Sequence, residues 1–190
     1  MDARADPLVL AEVRRRRPGP YPARVSLRSL LARTTRALTP HTRRPAAIPP
    51  TAPTTDYPVA DRGLPTLRYA PRRDGRPDPG EVVWAWVPFE EDASRGKDRP
   101  VLVIGSEDGR LVGLMLTSRD HDRDAAQEAR WGRYWIDVGT GAWDRQGRPS
   151  EVRLDRVLSL PVGGVRREGA ALSAARFAEV ATALRSVHGR

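Results

Sequence analysis

Gly80-Glu81-Val82-Val83-Trp84-Ala85-Trp86-Val87-Pro88, followed after a charged loop by Arg99-Pro100-Val101-Leu102-Val103-Ile104-Gly105, is the stretch that decides the fold. Residues 82–87 are β-branched or aromatic with one alanine, and 101–104 are β-branched or leucine, so both read as buried strands. Between them Phe89-Glu90-Glu91-Asp92-Ala93-Ser94-Arg95-Gly96-Lys97-Asp98 is too polar and too glycine-punctuated for strand or helix, which predicts a mobile loop over 89–98. Ser106-Glu107-Asp108-Gly109 is a hairpin turn, so Arg110 to Ser118 forms the next strand, antiparallel to 99–105. That hairpin places the position near Arg99 opposite the position near Ser118. A guanidinium and the hydroxyls of Thr117 and Ser118 then meet at one end of the sheet, a combination that suits an oxyanion or a phosphate.

Charge divides the chain of 190 residues. Residues 1–79 hold 16 of the 33 Lys+Arg and 7 of the 24 Asp+Glu, so the whole net charge of +9 falls there, with 14 of the 18 prolines. All five tryptophans lie after residue 80. The expectation is a basic, Pro/Arg-rich, largely disordered leader over 1–79 and a charge-balanced domain over 80–190, large enough to bury its own core. With no cysteine, disulfides and thiolate zinc sites are excluded. No run is long enough to span a membrane and no apolar signal region follows the first charges, so the expected location is cytoplasmic. Lys97 is the single lysine, an arginine bias that suggests a GC-rich bacterial genome.

In the leader, Arg14-Arg15-Arg16-Arg17 is followed by a segment, 24–38, that puts Leu27, Leu30, Leu31 and Leu38 near one helical face and Arg24, Arg28 and Arg36 largely off it. Such a basic amphipathic helix suits RNA, a ribosome or acidic lipid; the alternatives are a plain solvated helix or residues upstream of the true start codon. Pro40 to Pro79 reads as a linker with little regular structure, in which Leu67-Arg68-Tyr69-Ala70 can lie along a sheet edge. Beyond the hairpin, Trp131 to Val138 reads as a strand with Tyr134, Ile136 and Val138 on one face, and Ser150 to Leu160 as another with Val152, Leu154 and Val157 available for the core. Gly139 to Pro149 is a long turn that presents Trp143 as a stacking platform for a base, whereas Trp84 and Trp86 share a strand face suited to the core or to a dimer interface. Ser173 caps a helix whose Phe177, Val180, Ala181, Leu184 and Val187 form one stripe.

A strand opening with glycine and an acid, a polar loop, Lys97-x-Arg99-Pro100-Val-Leu-Val-Ile104, and a strand ending in Leu116-Thr117-Ser118 together resemble the PemK/MazF family of toxins from bacterial type II toxin-antitoxin pairs. The resemblance covers about residues 80–187. It implies a mainly β fold, an SH3-like small β-barrel of the PemK/MazF/CcdB type with a C-terminal helix. It also implies a homodimer that cuts single-stranded RNA as an mRNA interferase without a metal or other cofactor, and a cognate antitoxin protein that inhibits it. The family's catalytic arginine and threonine align with Arg99 and Thr117. In the family the loop matching 89–98 flanks the RNA groove; here Glu90-Glu91-Asp92 would repel RNA, which argues for gating or a different substrate preference. Where the family carries an acid followed by glutamine, this chain has Asp155-Arg156, which puts any role borrowed for that position in doubt.

Metal-free RNA cleavage needs the ribose 2′-hydroxyl to attack phosphorus, charge compensation for the phosphorane, and proton transfer at the attacking and leaving oxygens. A guanidinium is permanently cationic and holds two phosphate oxygens at once, so Arg99 takes the charge and is a possible proton donor, while Thr117 donates to a non-bridging oxygen. Ser118, Glu81, Lys97, Arg119 and His121 are further candidates for catalysis or substrate binding. Arg99 can instead pair with Asp98 or Glu81, and Thr117 can be an ordinary β-branched strand residue. Asp120, Asp122 and Asp124 alternate as in a calcium loop but lack the glycine turn and the distal glutamate, so no metal site is expected. The competing function is a non-catalytic barrel that binds nucleic acid or a protein partner; a relation to gyrase-poisoning toxins of the same fold lacks a recognisable C-terminal tail.

Overall fold

The computed structural model describes residues 52–72, 74–119 and 125–189, all within one compact unit, Ala47–Arg190. The arginine run, the expected helix at 24–38, His121 and the alternating aspartates lie outside the described residues.

The two deciding stretches form β2 (Glu81–Pro88) and β3 (Gly96–Glu107), and the next strand is β4 (Arg110–Thr117). Asp108 (φ 51°) and Gly109 (φ 73°) are both left-handed, the two-residue turn whose twist matches the strands it joins. The charged loop is shorter than its composition suggests: Pro88 pairs with Gly96 and Ala85 with Arg99, which leaves residues 89–95 as the connection. No side chain fits at Gly96, because a Cβ would lie 2.5 Å from the Val87 carbonyl oxygen, so the glycine that reads as a breaker serves a close strand pairing.

The domain is completed by α2 (Ala125–Arg130), β5 (Trp135–Gly139), β6 (Ser150–Pro161), a 3-10 turn (Val162–Gly164), β7 (Val165–Ala171) and α3 (Ala174–His188), while β1 (Thr55–Asp56) and α1 (Val59–Arg62) precede β2. The strand predicted from Trp131 begins only at Trp135. Trp131 and Gly132 (φ 73°) form the turn that ends α2, which the periodicity of the later residues masked. The sheet is antiparallel throughout, in the order β1-β6-β4-β3-β2-β7, with β5 also on β6.

Both faces of the central strands are apolar and both are buried. On one face Val82, Leu102, Ile104, Leu114, Leu116 and Val152 pack with α3, whose Phe177, Val180 and Leu184 form the expected stripe under the Ser173 cap. On the other Val83, Ala85, Val101, Val103, Met115 and Leu158 form a second cluster, against which Trp135 of β5 and Val165 of β7 also pack. Those two strands lie at opposite ends of the ladder, so the sheet curls until its ends meet over the same residues. The result is barrel-like, although among the described residues no hydrogen-bonded ladder closes it. Register irregularities at Val82/Val83, Val103/Gly105 and Leu114/Leu116 supply the extra twist that such a curl needs.

The described residues between 52 and 79, assigned to the leader on composition, include segments that pack onto this domain. Tyr57 is buried, its N–H donates to the Val157 carbonyl at 2.8 Å and its hydroxyl donates to Glu107. The Leu67–Ala70 segment does follow the sheet: Arg68 N donates to Ile104 O, and the Tyr69 hydroxyl donates to Leu172 O at 2.9 Å with its ring 5.5 Å from that of Phe177. Proline counts record where backbone donors are missing; they do not register two tyrosines that fill gaps on a sheet. Among the described residues no helix is long and apolar enough to cross a membrane.

Tyr57→Ala is expected to cost about 3 kcal/mol in urea-unfolding free energy, and Tyr57→Phe, which removes only the bond to Glu107, about 1 kcal/mol. Unchanged stability in both would mean that this segment is not part of the folded unit.

Candidate active site

The hairpin register carries the site. Val101 pairs with Met115, so the same register continued by two residues sets Arg99 abreast of Thr117. Val101 and Met115 belong to the inner cluster, and Arg99 is also paired with the inner residue Ala85, so Arg99 and Thr117 share the inner face at its rim. Both are partly exposed. Neither pairing foreseen as a structural alternative for Arg99 occurs: Asp98 is bound by Arg166 and Glu81 by Arg167. Among the described residues Arg99 has no carboxylate partner. Thr117 Oγ1 accepts from Arg119 N at 3.2 Å, which leaves the hydroxyl proton available to donate.

Arg156, noted in the sequence only as a departure from the family, and Arg153, not singled out there, stand near Arg99. β4 and β6 fall out of register between Leu114 and Leu116, and the β6 residues between their partners Val152 and Val157 include Arg153, Asp155 and Arg156. Burial first, then the nearby Arg156 and Arg153, lower the pKa of Arg99 from its ordinary value. Burial pulls Arg153 the same way, but Asp155 and Glu90 outweigh it and leave its pKa raised. Arg153 binds Asp155 at 2.6 Å and Glu90 at 2.6 Å, with its guanidinium 5.8 Å from the Trp135 ring centre. Arg156 binds Asp56 at 2.7 Å and donates to Pro88 O at 2.9 Å. Glu151 is paired with Thr117 in the register and is buried, which puts a carboxylate next to the threonine on the same rim. The only sequence signal for this group was the departure from the family at Asp155-Arg156.

The remaining candidates separate. Lys97 shares the inner face with Arg99 but is exposed, its ammonium 5.9 Å from the Phe89 ring centre. Ser118 and Arg119 follow Thr117 and are exposed. Glu81 lies four residues from Ala85 along β2, about 13 Å away, and accepts two bonds from the Arg167 guanidinium and one from Asp78 N. It belongs to a structural network in which Arg72 holds Asp78 at 3.0 Å. Trp143, expected as an exposed platform, is 4% exposed and donates to Ser150 Oγ at 3.1 Å. Its ring folds back over Gly141, where no side chain would fit. Trp86 and Trp131 are the exposed indoles instead. Among the described residues no three of His, Asp and Glu converge in a way that would hold a metal ion.

A model of the family described as "PemK-like, MazF-like toxin of type II toxin-antitoxin system" matches residues 78–188. The chain belongs to that family. The match begins at Asp78, the residue whose N–H binds Glu81, and takes in Arg99, Thr117 and the β6 arginines of this PemK/MazF domain. Two solved structures are similar to it: MazF (Form-I) from Deinococcus radiodurans, at 25% identity and a TM-score of 0.43 over 62% of this chain and 100% of that one, and MazE-MazF (Form-II) from the same organism, at 24% identity and a TM-score of 0.43 over 61% and 98%. The curated proteins contain no match.

Glu81→Gln leaves Arg167 facing a neutral partner and is expected to cost about 3 kcal/mol of stability without lowering activity per folded molecule. The Arg72 guanidinium, against the opposing effect of burial, holds the Asp78 carboxyl below the usual carboxylate range. A depressed folded-state pKa contributes stability above the unfolded value, near about 4, that is lost as pH falls through the folded value. Stability is therefore expected to fall below about pH 4, with a shallower acid limb in Asp78→Asn, when unfolding is followed against pH.

Proposed function

We propose that this PemK/MazF-family protein is a metal-independent endoribonuclease that cleaves single-stranded RNA, acts in the cytoplasm as a homodimer, and is held inactive by a cognate antitoxin. The observation that supports the reading is the β3–β4 register, which continued from Val101–Met115 brings Arg99 abreast of Thr117 on a partly exposed rim, the arginine without a carboxylate partner among the described residues and the threonine with a proton to donate. The family's description as the toxin of a toxin-antitoxin system supports the antitoxin partner.

In this scheme the 2′-oxygen of one ribose attacks the adjacent phosphorus, the bond to the 5′-oxygen breaks, and a 2′,3′-cyclic phosphate and a 5′-hydroxyl result. Arg99 takes the charge on two non-bridging oxygens through its planar fork, and Thr117 donates to one of them. Glu151, abreast of Thr117, is the carboxylate assigned to accept the 2′-hydroxyl proton. The 5′-oxygen receives its proton from Arg99 or through water from bulk solvent. Arg99 is cationic at neutral pH, and the lowering of its pKa by burial and by Arg156 and Arg153 acts in the direction that proton donation requires.

Arg99→Ala is expected to abolish RNA cleavage and the growth arrest that expression causes in a bacterium, and Thr117→Val to slow cleavage by about 10²–10³. Cleavage should persist in excess chelator and should fail on RNA carrying a 2′-deoxyribose at the scissile position. Intact RNA after incubation with the folded wild-type protein, or toxicity unchanged in Arg99→Ala, contradicts the assignment.

A further inference from the structure

Beside Arg99, the guanidinium groups of Arg153 and Arg156 converge on a single carboxylate oxygen. Glu90 Oε1 is 2.6 Å from Arg153 Nη2 and 3.8 Å from Arg156 Nε. The arginine side chains are only 9% and 10% exposed, whereas Glu90, at 38%, sits on the connection between β2 and β3. The other acids near the pair are already committed. Asp155 takes three bonds from the Arg153 guanidinium and accepts from Tyr134 N, and Asp56 holds Arg156 Nε. Glu90 is thus a partly exposed acid of the group, held by two arginines that are themselves almost fully buried. Withdrawing Glu90 takes one negative charge away from Arg153 and Arg156, near the cation assigned to the scissile phosphate. That is the charge of one phosphodiester.

The connection is held together by its own contacts. Phe89 N donates to Arg95 O, Arg95 N donates to Asp92 O, and Ser94 binds Asp92 through both its N–H and its hydroxyl. The guanidinium of Arg95 and the ammonium of Lys97 both lie near the Phe89 ring. These contacts are internal to the loop and its strand ends, so the turn keeps its shape when Glu90 lets go. A carboxylate oxygen set against two buried forks occupies the place of one phosphate oxygen, and the forks suit a phosphate at least as well.

We propose that Arg153 and Arg156 form a second phosphate-binding subsite beside Arg99, that Glu90 occupies it in the free protein as an internal stand-in for a phosphate, and that the backbone of single-stranded RNA takes it over by displacing the 89–95 loop. The identity of the ligand rests on the ribonuclease reading given above. The acidic loop that by charge alone would repel RNA then acts as a competitor that RNA must exchange with, one phosphate for one carboxylate.

The test is binding of a fully 2′-O-methylated RNA oligonucleotide, which cannot be cleaved, to full-length wild-type protein, Glu90→Gln, Arg156→Gln and the double variant, with thermal melts of each. Glu90→Gln is expected to bind about fivefold tighter, the yield of releasing an ion pair whose acid is partly exposed. Arg156→Gln is expected to bind about tenfold more weakly and to lower the slope of log Kd against log salt by about 0.7, one single-stranded phosphate contact. In the Arg156→Gln background the gain from removing Glu90 should fall below about twofold, because its competitor has lost half of its site. Should Glu90→Gln not fold, Glu90→Asp keeps the loop charge, shortens its reach and is expected to tighten binding as well. A folded Glu90 variant that binds no tighter than wild type, or a double variant that keeps the full gain, overturns the proposal. If the wild type cleaves unmodified RNA while the Glu90 variants bind no tighter, the subsite fails and the nuclease stands. If no variant binds or cleaves RNA, both fail together.

Discussion

The turn at Asp108-Gly109 sets the register on which the site depends. Two consecutive left-handed residues close the β3–β4 hairpin with no freedom to slip. From that turn inward, Glu107 meets Arg110, Ser106 meets Leu111 and, past one irregularity, Val101 meets Met115. A slip of one residue would send either Arg99 or Thr117 to the opposite face, where α3 and its apolar stripe lie. The hydrophobic pattern enforces the same choice, since every inner residue would move with them.

The curl of the sheet turns this register into a site. Inner residues of β2, β3, β4 and β6 fill the space between the two ends of the ladder and leave only the rim open. Arg99 and Thr117 sit at that rim with Arg153, Arg156 and Glu151 from β6, whose irregular pairing with β4 moves charged side chains to a place a regular strand would not put them. Burial there has two consequences. It lowers the pKa of Arg99, and it obliges each added arginine to find a carboxylate, which is why Asp155, Asp56 and Glu90 gather around the same few ångströms. The segment before β2 is drawn in by the same requirement, because Asp56 is one of those carboxylates.

Much of this was legible in the residues. Two β-branched stretches joined by a polar loop, an Asp-Gly turn and a capped helix with a stripe of period 3.6 specify local structure strongly, and the hairpin alone paired position 99 with the Thr117-Ser118 end. What stayed hidden depends on contacts distant in sequence. Nothing in Thr55-Asp56-Tyr57 shows that Tyr57 plugs the sheet and Asp56 reaches Arg156 a hundred residues later. Glu81, adjacent to glycine at a strand start, has the composition of a site residue, yet its place in the ladder gives it to Arg167. Trp143 looked exposed because its turn is rich in glycine, and the same glycine is what lets the ring fold inward. The Arg153–Arg156 pair was visible only as a missing glutamine.

The most direct measurement is a crystal structure of the protein with a non-cleavable single-stranded RNA analogue. The account predicts one phosphate whose non-bridging oxygens lie within about 3.2 Å of both the Arg99 guanidinium and Thr117 Oγ1. An RNA backbone that passes the rim without touching either, or two residues that face different phosphates, would contradict it.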